Sequence, residues 1–259
     1  MSDHPVAPVE AIDRALRLLD ALARAGADGA TLAELSASEQ LNKSTAYRAL
    51  ATLRARGFCT QQGGNGHYVL GAAAIGLGDS FYSDGSLRTL LHPAILALCR
   101  EVDELVHLGV LAGDQVVYLD KVEPERSIRV WSRVGQTVPA ATSSLGRAVL
   151  SRICDSVDQL PPYLAGLPAS QRPEPARLWR MLQDARRRGF ATEWGENQPG
   201  VACLGVPVLR GISAVAAISV TAPAERMTAE RCDELAGVVG ELVPRFLPSG
   251  LTIPPLGGN

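Results

Sequence analysis

Between positions 43 and 48 the chain groups side chains that can grip and read a polyanion: Lys43, Ser44, Thr45, Tyr47 and Arg48. An arginine can pair with a guanine edge through two parallel hydrogen bonds, and short hydroxyls can bond to bases or phosphates. Lys43 suits a phosphate contact. A second group has another chemistry. Residues 142–146 read Thr-Ser-Ser-Leu-Gly at the start of a helical pattern, where free backbone N–H groups and the helix dipole favour a carboxylate. From Glu193 to Cys203 a polar stretch runs through Pro199 and Gly200 into a strand pattern, which would place polar side chains on a loop. Each group also has an ordinary structural explanation. The first can be a solvated helix face, Ser143 and Ser144 can simply cap a helix, and Cys203 can be a core residue.

Catalysis is not expected. Cys203 and His107 would make a nucleophile and a base only if the fold paired them, and the chain shows no Ser-His-Asp order, HExxH, P-loop or GxGxxG in strand context. The four histidines are scattered, and the five cysteines (59, 99, 154, 203 and 232) are odd in number with no CxxC pair. No zinc site, disulfide framework or cofactor is expected, and a reducing cytoplasm fits this usage.

The elements that must carry these groups follow from periodicity. Over residues 10–24, Ile12, Ala15, Leu16, Leu19, Leu22 and Ala23 recur at helical spacing, predicting an apolar face there. Thr31 and Glu34 form a capping box that starts a short second helix. Asn42 caps a third helix, which Gly57 stops. Ala46, Ala49, Leu50 and Leu53 share the inner face of that helix. Ser44, Arg48 and Ala51 fall opposite, with Thr45 and Tyr47 on the flanks. Two β-like runs, 58–61 and 67–70, flank a Gly-rich connection and predict a hairpin. Two short helices, a tight turn and an amphipathic third helix with a hairpin after it read as a winged helix-turn-helix. Asn65 and His67 of the wing are further candidate DNA contacts.

Beyond residue 88 the pattern is a helix to residue 102, strands at 105–112 and 115–122 around Gly113-Asp114, and a third strand at 127–134. Helices follow at 143–154 and 175–188, strands at 190–194, 202–209 and 213–220, and a final helix at 228–243. A mostly antiparallel sheet flanked by helices is an α+β domain.

Bulk properties agree. The length of 259 residues suits two domains, and 46% hydrophobic with 20% charged residues belongs to the globular class. Net charge is −2, yet no acidic residue lies between Glu39 and Asp79, where Lys43, Arg48, Arg54 and Arg56 do. Phosphate contact is local, so this distribution counts for more than the total. The longest apolar run, residues 211–224, is too short to span a bilayer. No signal peptide is read at the start.

Ile12-Asp-Arg-Ala-Leu-Arg-Leu-Leu, Thr31-Leu-Ala-Glu-Leu and Leu41-Asn-Lys-Ser-Thr-Ala-Tyr-Arg-Ala-Leu50 resemble the winged helix-turn-helix of the IclR family of bacterial regulators. The likeness continues in order through residues 106–111, 117–122, 134–139, Leu145-Gly-Arg-Ala-Val-Leu150, 188–191 and Glu196-Asn-Gln-Pro-Gly-Val-Ala-Cys203, covering about residues 10 to 245. Asn42 and Gln40 depart from it, standing where the family often has Pro and Gly, so the Gln40 turn is expected to be slightly strained. The resemblance implies a DNA-binding domain at 9–70, a linker helix at 71–87 that helps pair subunits, and a GAF-like effector domain at 88–247. It implies effector contacts at Ser144 and Leu145 through backbone N–H, and at Glu193, Cys203 and Ser219, with Thr221 less certain. Ile128, Val130 and Val138 would supply apolar wall. The implied partners are a double-stranded operator and a second copy of the chain, or a dimer of dimers. The effector is expected to be a small carboxylic acid with a hydroxyl or amine to offer Glu193, because two facing carboxylates repel. No membrane partner is expected.

Overall fold

A computed structural model describes residues 9–63, 66–81, 86–126 and 130–257. The chain divides into two units, 1–83 and 84–259.

The first unit is built from α1 (Glu10–Ala25), α2 (Leu32–Ser38), α3 (Lys43–Ala55), β1 (Cys59–Gln61), β2 (Tyr68–Leu70) and α4 (Ala73–Phe81). Its local signals act as they read. The Thr31 side chain accepts from Glu34 N while Glu34 returns to Thr31 N, closing the capping box. Asn42 accepts from Thr45 N at 2.8 Å and opens α3. Gln40, between α2 and α3, sits at φ 53°, the left-handed region where a side chain is strained and a glycine would not be. The hairpin β1–β2 pairs antiparallel from Cys59 opposite Leu70 to Gln61 opposite Tyr68.

One expectation is corrected. The buried face of α1 is Leu18, Ala21 and Leu22, whereas Ile12 and Leu16 are more than half exposed. Both sets recur at helical spacing, so α1 carries two apolar stripes, and this unit packs against only one. The core joins those α1 residues to Leu35 of α2, Ala46 and Leu50 of α3, and Cys59 and Tyr68 of the hairpin. Glu39, buried at the turn, accepts from Arg17 at 3.1 Å and Arg24 at 2.7 Å. It fixes α1 against the turn that aims α3.

The second unit contains α5 (Leu87–Val102), β3 (Leu105–Ala112), β4 (Gln115–Val122), β5 (Thr137–Pro139), α6 (Ser144–Ile153), α7 (Pro161–Ala165), α8 (Pro175–Arg188), β6 (Ala191–Trp194), β7 (Val201–Arg210), β8 (Ser213–Pro223) and α9 (Ala229–Leu242). The six strands form one antiparallel sheet in the order β5-β4-β3-β8-β7-β6. Alternation decides the layers. Val106, Leu108, Leu204, Val206, Ile218 and Val220 pack with α5 and α9 on one face. Tyr118, Ala191 and Ala217 pack with α6 and α8 on the other. Each large side chain buried this way contributes about 1.5–3 kcal/mol.

The N-terminus of α6 presses onto the sheet because glycine permits it. A Cβ on Gly205 would stand 2.5 Å from Ser144 O, and one on Gly146 would stand 2.2 Å from Ala140 O. A second expectation fails here. Residues 130–134 form no strand, and 127–129 lie outside the described residues. The edge beside β4 is taken instead by residues 135–139. Gly135 N donates to Tyr118 O, Tyr118 N donates to Gln136 O, and β5 then pairs with β4. That leaves Val130 to Ser132 free to form a loop over the sheet.

Candidate functional site

The first candidate site is the outer face of α3. Lys43, Ser44, Tyr47 and Arg48 are exposed and Thr45 is half-buried. The Ser44 hydroxyl donates to Asn42 Oδ1 at 2.9 Å, so it also steadies the cap. Thr45 and Arg48 border a groove shared with Ile12 and Leu16 of α1. His67 is half-buried, and its Nδ1 bonds to Asp28 O at 2.9 Å, tying the wing to the turn after α1. Asn65 lies outside the described residues.

The second candidate site lies on the α6 side of the large sheet. Strand register brings its residues together. Glu193 stands opposite Cys203, Cys203 opposite Thr221, and His107 opposite Ser219, so all five share one face. His107, Tyr118, Val130, Trp131, Glu193, Cys203 and Thr221 line a cavity of about 350 Å³, part of it open to solvent. Only about 30 Å³ of it admits the centre of a water molecule, so the site is contracted. Trp131, 72% exposed, stands at its rim.

Among the residues expected from the sequence, Val130, Glu193, Cys203 and Thr221 line this cavity. Ser144 lies beneath it, hydrogen-bonded to Cys203. Leu145 packs over Gly109, with its N–H beside Gly205. Ser219 is buried on the same sheet face but outside the lining, and Val138 belongs to the core under α6. Ile128 lies outside the described residues. Sequence reasoning missed His107, Tyr118, Trp131 and Ser132 as lining. For His107 the signal was present: a polar residue on the inward phase of the apolar run 105–111.

The polar groups form one directional chain. Ser132 Oγ lies 2.8 Å from His107 Nε2, Thr221 Oγ1 lies 3.3 Å from His107 Nδ1, and Thr221 Oγ1 donates to Cys203 Sγ at 3.3 Å. Each hydroxyl has one proton. Thr221 gives its proton to sulfur, so it accepts from His107 Nδ1–H, and Nε2 accepts from Ser132. The imidazole is therefore neutral. Burial, seconded by the Lys121 charge, holds its pKa down at about 3, and the ring stacks on Tyr118 at 4.3 Å. Burial and the nearby Glu193 push the Cys203 thiol up.

Glu193 is buried, which raises its pKa. Its Oε1 accepts from Glu196 N at 2.7 Å and Asn197 N at 3.0 Å, and these bonds oppose the rise. Arg147, also buried, steadies the same loop through Nη1 bonds to Thr192 O at 3.1 Å and Glu196 Oε2 at 2.6 Å. A nucleophilic cysteine needs a depressed thiol pKa beside a base. Here the thiol is raised and meets His107 only through Thr221, so the arrangement is that of a neutral binding surface.

The pocket predicts a pH dependence. His107 titrates near 3 in the folded chain and near 6.5 when unfolded, so the unfolded state binds the extra proton. The stability it protects is present above pH 6.5 and is lost as pH falls toward 3, at about 1.4 kcal/mol per unit. Thermal unfolding is expected to lose about 2 kcal/mol from this group between pH 6.5 and 5. His107→Gln should show a flatter profile over that range, whatever its absolute stability. Parallel profiles for the two proteins would exclude this assignment.

An exposed, capped third helix behind a tight turn, with a β-hairpin after it, defines a helix-turn-helix DNA-binding regulator. Comparison narrows the class. The IclR helix-turn-helix domain matches residues 11–63, and the C-terminal domain of the bacterial transcriptional regulator IclR matches residues 81–244. The chain is 29% identical to the transcriptional repressor IclR of Escherichia coli, over 89% of this chain and 86% of that one. It is 32% identical to the HTH-type transcriptional regulator Rv1719 of Mycobacterium tuberculosis, over 89% and 88%. Its fold matches an IclR homolog from Microbacterium hydrocarbonoxydans complexed with 4-hydroxybenzoate, with a TM-score of 0.71, 22% identity and coverage of 92% and 99%. The chain belongs to the IclR family of bacterial transcriptional regulators. Its relatives are regulators and not enzymes, and among the described residues no helix is long and apolar enough to cross a membrane.

Proposed function

We propose that this regulator reads its operator through α3 and the wing, and that a small organic acid held between Glu193, Cys203, Thr221 and His107 controls it. Lys43, Ser44, Thr45, Tyr47, Arg48, Asn65 and His67 make the DNA contacts. Residues 9–70 form the reading domain, 71–87 the linker and 88–247 the effector domain. The protein works in the cytoplasm as a homodimer or dimer of dimers. Two α3 helices then enter major grooves about one turn, ~34 Å, apart or a multiple of it.

The observation that carries the effector reading is the polar chain in the cavity. A buried carboxyl, a thiol, a hydroxyl and a neutral imidazole are fixed in place, and apolar wall surrounds them, which is the composition of a small-molecule site. Its chemistry suits an acid with a second polar group: Glu193 can accept from a hydroxyl or amine, and the Ser144 and Leu145 N–H groups can meet the carboxylate. A fold neighbour complexed with 4-hydroxybenzoate, a hydroxy acid, supports this reading. A ring-bearing acid needs more than the present free volume, so the loop from Val130 to Ser132 must move outward on binding. Regulation follows if the acid prefers one subunit arrangement, and the coupling to DNA must then be reciprocal.

The test is binding of the purified chain to its own upstream DNA at two salt concentrations, with and without a panel of small organic acids. Specific binding that falls steeply with salt and shifts with one acid is expected. Retention of no DNA at low salt would remove the DNA half of the reading. Indifference to every acid, with Trp131 fluorescence unchanged, would remove the effector half.

A further inference from the structure

A second cavity, of about 550 Å³ and partly open to solvent, lies where α8 meets α6 and β6, and shares no lining residue with the Cys203 pocket. Arg147, Arg180, Arg188 and Asp184 give it charge, and Met181 and Phe190 give it apolar wall.

One of its guanidiniums has an unsatisfied buried donor, and a second is exposed and unpaired among the described residues. Arg147 is only 1% exposed. Its Nε donates to Ala141 O and its Nη1 is fully used, yet Nη2 has no hydrogen-bond partner among the described residues. A buried charged donor left unmade is costly, and native interiors keep few of them. Arg180 is exposed and forms no hydrogen bond or ion pair among the described residues. The one lining carboxylate, Asp184, is already engaged by Arg187 and Arg188. Arg188 is further held by Asp233 at 2.7 Å and lies over Phe190 at 4.2 Å. The lining therefore has three guanidiniums to one neutralised carboxylate, with two of the three still offering donors.

We propose that this cavity is a second ligand site, which takes a small oxyanion, carboxylate or phosphate, on Arg147 Nη2 and Arg180. Guanidinium donors match such oxygens in geometry as well as charge. Met181 and Phe190 cover any apolar remainder. The site also reaches the first pocket through one residue: Arg147 holds Glu196, whose N–H holds Glu193. The proposal does not depend on which effector the first pocket takes, or on DNA binding.

The test is calorimetric titration of the full chain with inorganic phosphate and, separately, with acetate, at ionic strength held constant with sodium chloride. Saturable binding of at least one is expected, and the stronger of the two names the source. Arg180→Gln should weaken it about tenfold or more, and the variant should fold because the exposed Arg180 forms no hydrogen bond or ion pair among the described residues. Arg100→Gln, which removes the same charge from the exposed side of α5, on the opposite face of the sheet from α6 and α8, should bind like the parent. Binding equal in Arg180→Gln and parent, or absent for both anions, would overturn the site and leave Arg147 Nη2 to water.

Discussion

Arg48→Ala is expected to abolish specific operator binding while leaving the fold intact. The side chain is exposed on α3, one turn beyond the residues that cap the helix, and makes no hydrogen bond or ion pair among the described residues. Removing it strands no partner, and a surface change of this kind alters stability by less than about 0.5 kcal/mol. On DNA the same side chain can make a bidentate contact worth about 1–3 kcal/mol. Two half-sites double that to about 2–6 kcal/mol, a loss of roughly 30-fold to 10⁴-fold. Lys43→Ala should behave differently. It should weaken all sequences alike and lower the salt slope by about one per contact removed. Gel-shift titration on operator and scrambled DNA at two salt concentrations separates the two variants, with thermal unfolding as the control. If Arg48→Ala bound the operator like the parent, α3 would be a packing face turned toward α1. The groove that Arg48 shares with Ile12 and Leu16 would then be its real environment.

What the chain order made readable was whatever depends on near neighbours. Thr31 with Glu34, and Asn42 with Thr45, close within three residues, so both caps stood in the sequence. The positive φ at Gln40 is expected only through the family resemblance, which often has Gly at that turn. Glu193 and Cys203 are expected from the family resemblance, and the strand register sets them face to face.

What was lost depends on distant partners. Which stripe of α1 is buried depends on where α3 and the hairpin land. Residues 127–134 alternate like a strand, but the place beside β4 goes to residues 135–139, because Gly135 and Gln136 bond to Tyr118 first. His107 joins the site through Thr221, 114 residues away. Arg147, inside a family segment, reads as one more helix residue until the Glu193 loop closes on it. Pattern assigns a residue to a face. Only register and packing say what shares that face.

Effector affinity is expected to rise as pH falls, by up to tenfold per unit, and Glu193→Gln should remove that dependence. A carboxylate beside a carboxylate repels, which argues against two ionised acids in this pocket. Protonation of Glu193 on binding would remove the conflict. Burial already raises the Glu193 pKa, and the two N–H bonds from Glu196 and Asn197 only partly oppose it. An arriving anion raises it further. Above the pKa of the empty site, binding must therefore bring in a proton, and linkage converts one proton into tenfold per pH unit. The other groups in the cavity do not supply this slope. His107 is neutral down to about 3, and the Cys203 and Tyr118 protons stay on because burial raises both groups. Glu193→Gln keeps an oxygen for the two loop N–H groups, so the loop stands, binding persists and its pH profile flattens. Glu193→Ala orphans both N–H groups and should cost about 2–4 kcal/mol of stability. Titrations of the acid that shifts DNA binding, run from pH 6 to pH 8 on parent and Glu193→Gln, decide the point. A slope that survives in the glutamine variant would place the proton elsewhere and deny Glu193 its role beside the ligand.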